Sequence, residues 1–338
     1  MHAKLQSFLW IGASPAAEAV RVRTLQQGIQ FPESKIKTMA LPLANSPDQN
    51  CNLRPTNTAI RRFCAPRPLL LWHLASLDAP TVAVAWSLGF AWAAGVRLPL
   101  WVPVLLSLGT WAVYIGDRLL DARTAMRSGN LHRLRERHFF HWRHRRILAP
   151  LALVAAGAAA AIIFNLMPAT VREHNSVLAV AALAYFSGVH TSRRAFAWGR
   201  SIFSKELLVG ILFTAGCALP ALSRLATTTF GWSLGSLLAA CTFFAFLAWL
   251  NCGAIEHWES GKISGRISIA GRLLCLFGLL LALFLFPTRP NIASLIAAGS
   301  ASSFLLVLLD RLRGRLTPLA LRAAADLVLL TPLLLLAR

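Results

Sequence analysis

Asp117 and Asp121 stand four residues apart in the stretch TWAVYIGDRLLDAR (residues 110–123), where an apolar run gives way to charge. On a helix that spacing places both carboxylates on one face, and Tyr114 continues the same stripe. Like charges so placed repel, and burial raises the cost of each. A bound cation reverses the sign of that interaction, and Mg²⁺ is typically held by one or two carboxylates together with substrate phosphates. The competing explanation is a plain helix end with Arg118 and Arg123 neutralising the acids. A second acidic corner closes the run FLAWLNCGAIEHWES (246–260), with Asn251, Glu256 and Glu259. The two glutamates are again on one helix face. Here the alternative is a solvated helix end with Lys262 as partner. The chain has only 13 Asp+Glu against 34 Lys+Arg, which makes two such corners by accident less plausible than one.

The basic residues supply the other half of a possible site. LHRLRERHFFHWRHRR (131–146) reads as a basic amphipathic helix, of the kind that lies on a membrane surface. His138, His141 and His144 within it do not read as a metal site, because the surrounding arginines repel a cation. SRRAFAWGRSIFSKE (192–206) carries Arg193, Arg194 and Lys205. Arginine forks bind phosphate through paired hydrogen bonds, and lysine offers a point charge. Most of these cations need only orient the chain in a membrane. A few of them facing the acids would make a site for a metal–diphosphate, with Arg118, Tyr114 and Asn251 beside it.

The elements that must position these residues are hydrophobic helices. Of 338 residues, 56% are hydrophobic and 14% charged, and the mean hydropathy is +0.58. Soluble domains carry roughly a quarter charged residues. Nine hydrophobic segments are expected, at about 77–96, 98–118, 146–167, 176–191, 204–222, 233–255, 268–286, 291–309 and 320–337. Several approach the ~20 residues that span a bilayer. The fold class is therefore all-α, a polytopic transmembrane bundle of about nine helices. Asp78 with Pro80 reads as a helix start. Asp326 has Arg322 one turn away and reads as a local salt bridge. Residues 1–66 mix Pro, Ser, Asn and basic residues and are expected to be a poorly ordered segment preceding a membrane domain at 67–338, with Met39 a second candidate start. The six cysteines show no CxxC spacing, so neither a disulfide framework nor a zinc site is expected.

The net charge of +21 does not point to nucleic acid, because the basic residues sit between the hydrophobic segments. With alternating loops, one side takes 29 of the 34 Lys+Arg and the other takes five. The positive-inside rule then puts the N-terminus and both acidic corners in the cytoplasm and the C-terminus outside, as in a multi-pass protein of a bacterial inner membrane.

Nine helices with acidic corners after the second and sixth resemble the UbiA superfamily of intramembrane prenyltransferases. The stretch YFSGVHTSRRAFAWGRSIFSKELLVGILFTAG (185–216) looks like that family's segment after its fourth helix. The likeness runs from about residue 68 to the end. In the family the first corner reads N-D-x-x-D-x-x-x-D; its last two aspartates match Asp117 and Asp121, while Val113 and Tyr114 stand at the Asn-Asp. The second corner lacks the D-x-x-x-D register and carries Asn251, Glu256 and Glu259, so the chain resembles a divergent branch. The resemblance implies a Mg²⁺ cofactor bridging Asp117, Asp121, Glu256 and Glu259 to a prenyl diphosphate. It also implies transfer of the prenyl group to a hydrophobic or aromatic acceptor, such as a quinone precursor. Trp249, Phe243, Phe244 and Phe246 are candidates for the wall around the prenyl tail. A terpene cyclase, a transferase using another diphosphate donor, and a non-catalytic binding or transport protein remain open alternatives.

Overall fold

The structure is a computed structural model that describes residues 66–127, 136–173, 175–177, 179–180, 184, 205–225, 232–260 and 265–337. The described residues are helical, with no strand among them. In chain order the helices are α1 (Arg67–Leu74), α2 (Asp78–Ala93), α3 (Trp101–Arg127), α4 (Glu136–Arg143), α5 (Arg145–Asn165), α6 (Lys205–Leu225), α7 (Trp232–Glu259), α8 (Arg266–Leu285), α9 (Pro290–Leu312), α10 (Pro318–Leu327) and α11 (Leu333–Leu336).

Among the described residues, α5 to α9 are the five helices long and apolar enough to cross a membrane, or six if α1 and α2 count as one bent span. That is fewer than nine uninterrupted segments, and the reasons are local. α3 is long, but Asp117, Arg118, Asp121, Arg123 and Arg127 fall in its second half. The expected ninth segment breaks into α10, a 3-10 turn at Val328–Leu330 and the short α11. Pro332, which cannot continue a helix from Leu327 without loss of a backbone bond, falls at that break. The fourth segment lies largely outside the described residues.

α1 and α2 meet at 88°. The corner passes through Ser76, whose φ of 56° is left-handed and uncommon for a residue with a side chain. Asp78 opens α2 as its first residue rather than as the flanking cap, and its Oδ1 accepts from the Ala79 amide at 2.9 Å.

The core forms where α2, α6, α7 and α9 meet. Trp86 stacks on Phe244 with ring centroids 3.8 Å apart, and its indole nitrogen donates to the Leu329 carbonyl at 2.9 Å. Without a water-driven hydrophobic effect between helices in lipid, close packing by small residues and side-chain hydrogen bonds holds a bundle together. Both devices are present. A Cβ on Gly210 of α6 would lie 2.8 Å from the Ala245 carbonyl oxygen of α7, so only glycine lets these backbones approach. Ser303 donates to the Gly271 carbonyl at 2.8 Å, and Thr331 to that of Ala298 at 2.8 Å. On α8, by contrast, Leu273, Phe277, Leu280 and Phe284 form one exposed stripe. A stripe of this kind suits contact with lipid rather than water.

Candidate functional site

One end of the bundle collects most of the charge. Arg322 of α10 pairs with Glu259 of α7 at 2.7 Å (Nη1 to Oε1). Arg137 of α4 reaches the same glutamate oxygen at 3.9 Å, while its neighbour His138 lies 4.0 Å from Asp121 of α3. Two consecutive residues of α4 thus touch both acidic corners. Asp310, near the end of α9, accepts from Trp258 at 2.9 Å and from Ser268 at 2.8 Å, which draws α7, α8 and α9 to the same end.

α4 is anchored there through His141, which is fully buried. Its Nδ1 lies 2.7 Å from the Arg137 carbonyl and its Nε2 3.1 Å from the Ser76 hydroxyl. A carbonyl can only accept, so Nδ1 carries the proton and the serine donates to Nε2. Burial pushes the pKa of this imidazole down to about 4, which fits the neutral tautomer.

Below this charged end lies a buried polar cluster that joins five elements. His73 of α1 has Nδ1 2.6 Å from Oδ2 of Asp78 and 3.4 Å from Oδ2 of Asp326 on α10. Arg118 of α3 approaches Asp78 at 3.9 Å, and Asn251 of α7 donates to Oδ1 of Asp326 at 3.3 Å. The guanidinium carbon of Arg118 sits 5.6 Å from the Tyr114 ring centroid, within reach of a cation–π contact. Arg118 Nη1 and Asn251 Oδ1 are buried with no hydrogen-bond partner. Buried polar atoms are normally paired, so such exceptions mark a place for a ligand or water.

The residues singled out from sequence divide accordingly. Tyr114, Arg118 and Asn251 line the buried cluster. Asp121, at 52% side-chain exposure, and Glu259 belong to the charged end. Asp117 is half-buried beside Arg118, and Glu256 is exposed. Arg193 and Arg194 lie outside the described residues, as does the side chain of Lys205. Phe243 and Phe244 fill the core and Phe246 faces outward, so these three do not wall a cavity. A Cβ on Gly299 would meet Phe243 at 2.7 Å. The apolar space found instead is a cavity of ≈ 450 Å³ between α2 and α3, lined by Leu77, Pro80, Val84, Leu108 and Trp111 among others. It begins at the residue before Asp78.

His73, Asp78 and Asp326 were not picked out as site residues. Asp326 does not serve Arg322, which turns to Glu259; it faces His73 and Asn251 instead. Ionisable residues inside apolar segments are costly and are retained for function, a signal that Asp78 and Asp326 both carry in the sequence.

No family model, curated protein or solved structure matches this chain. What the fold and site define is a class: a chain whose described residues are helical, with helices long and apolar enough to cross a membrane, and a polar, partly unsatisfied cluster below one end of the bundle.

Proposed function

We propose that the chain is an integral-membrane prenyltransferase of UbiA-like architecture, its charged end in the cytoplasm. The observation that carries this is the reach of Arg137 and His138 to the two acidic corners. A site for an anionic substrate and its counter-cation needs acids and bases interleaved in this way.

Asp117, Asp121 and Glu256 offer the carboxylate oxygens that Mg²⁺ takes, and they would hold it only together with the substrate's phosphates, because their ligand atoms do not gather within 4.8 Å of one another. Glu259 is held by Arg322 and would act by fixing that arginine. When bound, Mg²⁺ supplies charge neutralisation to a leaving diphosphate. The chain's own residues do the rest. Arg118, with one nitrogen unpartnered, and Arg137 offer charge-assisted hydrogen bonds to phosphate oxygens. The apolar groove between α2 and α3 takes the prenyl chain. The carbon–oxygen bond to the diphosphate breaks and the electron pair leaves with it. The acceptor forms the new bond to that carbon and releases a proton.

The test is incubation of membranes containing the protein with Mg²⁺, labelled prenyl diphosphates of several lengths and a panel of aromatic acceptors. Diphosphate release and prenylated product are expected together, and both are expected to vanish in Asp117→Asn. Release without prenylated acceptor would favour a cyclase; neither would remove the proposal.

A further inference from the structure

We propose that His73, Asp78 and Asp326 bind a divalent transition-metal cation, at a site separate from the acidic corners of the bundle end. Their ligand atoms lie within 4.8 Å of one another, and among the described residues this is the one group of three or more with that property. The contacts themselves are unusual. Nδ1 of His73 is 2.6 Å from one carboxylate and 3.4 Å from the other, so a single ring nitrogen faces oxygens of two carboxylates at once. Ligands of one metal ion with bonds of about 2.0–2.2 Å sit roughly 3 Å apart, so the 2.6 Å contact would open slightly as the ion enters along the lone-pair axis of the ring nitrogen.

The donor types narrow the ion. One imidazole nitrogen and two carboxylates suit Zn²⁺, Mn²⁺ or Fe²⁺ better than the all-oxygen preference of Mg²⁺ or Ca²⁺. The surroundings have the form of an outer shell that orients ligands. Asn251 holds Oδ1 of Asp326 and leaves Oδ2 toward His73; Arg118 approaches Asp78. His73 and Asp78 are 1% and 2% exposed, so their charge cannot be left to solvent. Two carboxylates and Arg118 sum to one negative charge, which a divalent cation carrying one hydroxide or other monoanion balances. A remaining group suits such a ligand. Asn251 is 5% exposed, and its unpartnered Oδ1 can accept from a metal-bound water or hydroxide. Three protein ligands leave that coordination position open.

The experiment uses full-length protein purified in detergent, stripped with a chelator and titrated with Mn²⁺ alone and with Zn²⁺ alone. One equivalent is expected to bind, and pulsed EPR of the Mn²⁺ form should show nitrogen coupling from an imidazole. His73→Ala should lose that coupling, and Asp326→Asn should weaken binding at least ten-fold while eluting as a folded monodisperse species. Asp117→Asn and Glu256→Gln should leave the nitrogen coupling unchanged. No diphosphate is present, so the outcome is independent of the transferase proposal. Absence of stoichiometric binding would overturn the site and leave protonated His73 as the balancing charge. So would nitrogen coupling that survives His73→Ala, or binding lost in Asp117→Asn but kept in Asp326→Asn.

Discussion

Arg322 meets Glu259 at 2.7 Å, and one turn further along α10 Asp326 accepts from Asn251, two turns back along α7. The two rungs fix α10 antiparallel to α7 and link the charged end of the bundle to the buried cluster. Both side chains of the ion pair are only 13–14% exposed. Breaking a buried pair strands a charge and commonly costs about 3–5 kcal/mol. Arg137, at 3.9 Å from the same oxygen, should recover part of that. We therefore expect Arg322→Ala to lower thermal stability more than Arg137→Ala. A double-mutant cycle on unfolding in detergent should give a larger coupling to Glu259 for Arg322 than for Arg137. Equal couplings would mean the 2.7 Å contact is not the one that matters.

Close helix packing gives a second expectation. A Cβ on Gly278 of α8 would collide with the Ser300 hydroxyl of α9 and the Phe243 ring of α7. Overpacking of this kind typically costs about 1–3 kcal/mol. Gly278→Ala should lower the melting temperature of the purified protein. Gly157→Ala on α5, where nothing lies within 4 Å, should be neutral or slightly stabilising because alanine favours helix. The same shift in both would remove the packing explanation.

His141 makes stability depend on pH. Its folded pKa is about 4, depressed first by burial and further by the charges of Arg118 and Arg137, with the hydrogen bond to the Arg137 carbonyl and the charge of Asp78 opposing. The unfolded value is about 6.5. The unfolded chain therefore binds the extra proton first as pH falls, and the stabilisation is present above about 6.5 and lost progressively toward 4. Ser76 faces the ring and has no charge of its own. Replacing His141 with Gln, which cannot titrate, should flatten the melting temperature between pH 6.5 and 4 relative to the parent protein. An unchanged slope in His141→Gln would place the pH response on other groups.

The acidic corners were legible because i, i+3 and i, i+4 spacing is a local property of a helix, and Asp117, Asp121, Glu256 and Glu259 all lie in helices. The apolar character of α5 to α9 was legible for the same reason. The buried cluster was not. His73 meets Asp326 only after the chain turns 88° at Ser76 and α10 folds back along α7, and no spacing encodes either event. Helical proximity misled at Asp326, since Arg322 found a stronger partner on another helix. Aromatic content misled at Phe243, whose ring fills the gaps left by Gly278 and Gly299, and at Phe244, which stacks on Trp86 in the core, rather than lining a cavity. Among the described residues the span count falls short of nine where polar residues and Pro332 interrupt otherwise apolar stretches.

Arg118 offers the sharpest separation between an anion-binding cation and one that only orients the chain. Topology-setting charges act collectively, so the exposed Arg123 and Arg127 on the same helix should each be dispensable. Arg118 is 6% exposed, contacts Asp78 at 3.9 Å and has Nη1 unpartnered. On the transferase proposal that nitrogen serves the diphosphate. Lysine keeps the charge near Asp78 but loses the planar fork. Arg118→Lys should therefore fold and insert normally yet raise KM for the prenyl diphosphate at least ten-fold, equivalent to about 1.4 kcal/mol. Arg123→Ala and Arg127→Ala should stay within about two-fold of the parent, a difference of about 0.4 kcal/mol. The readouts are steady-state kinetics at saturating acceptor and the melting temperature of each variant. If Arg118→Lys keeps its KM while Arg123→Ala and Arg127→Ala lose theirs, the anion is held at the exposed rim of α3 and not above the buried cluster.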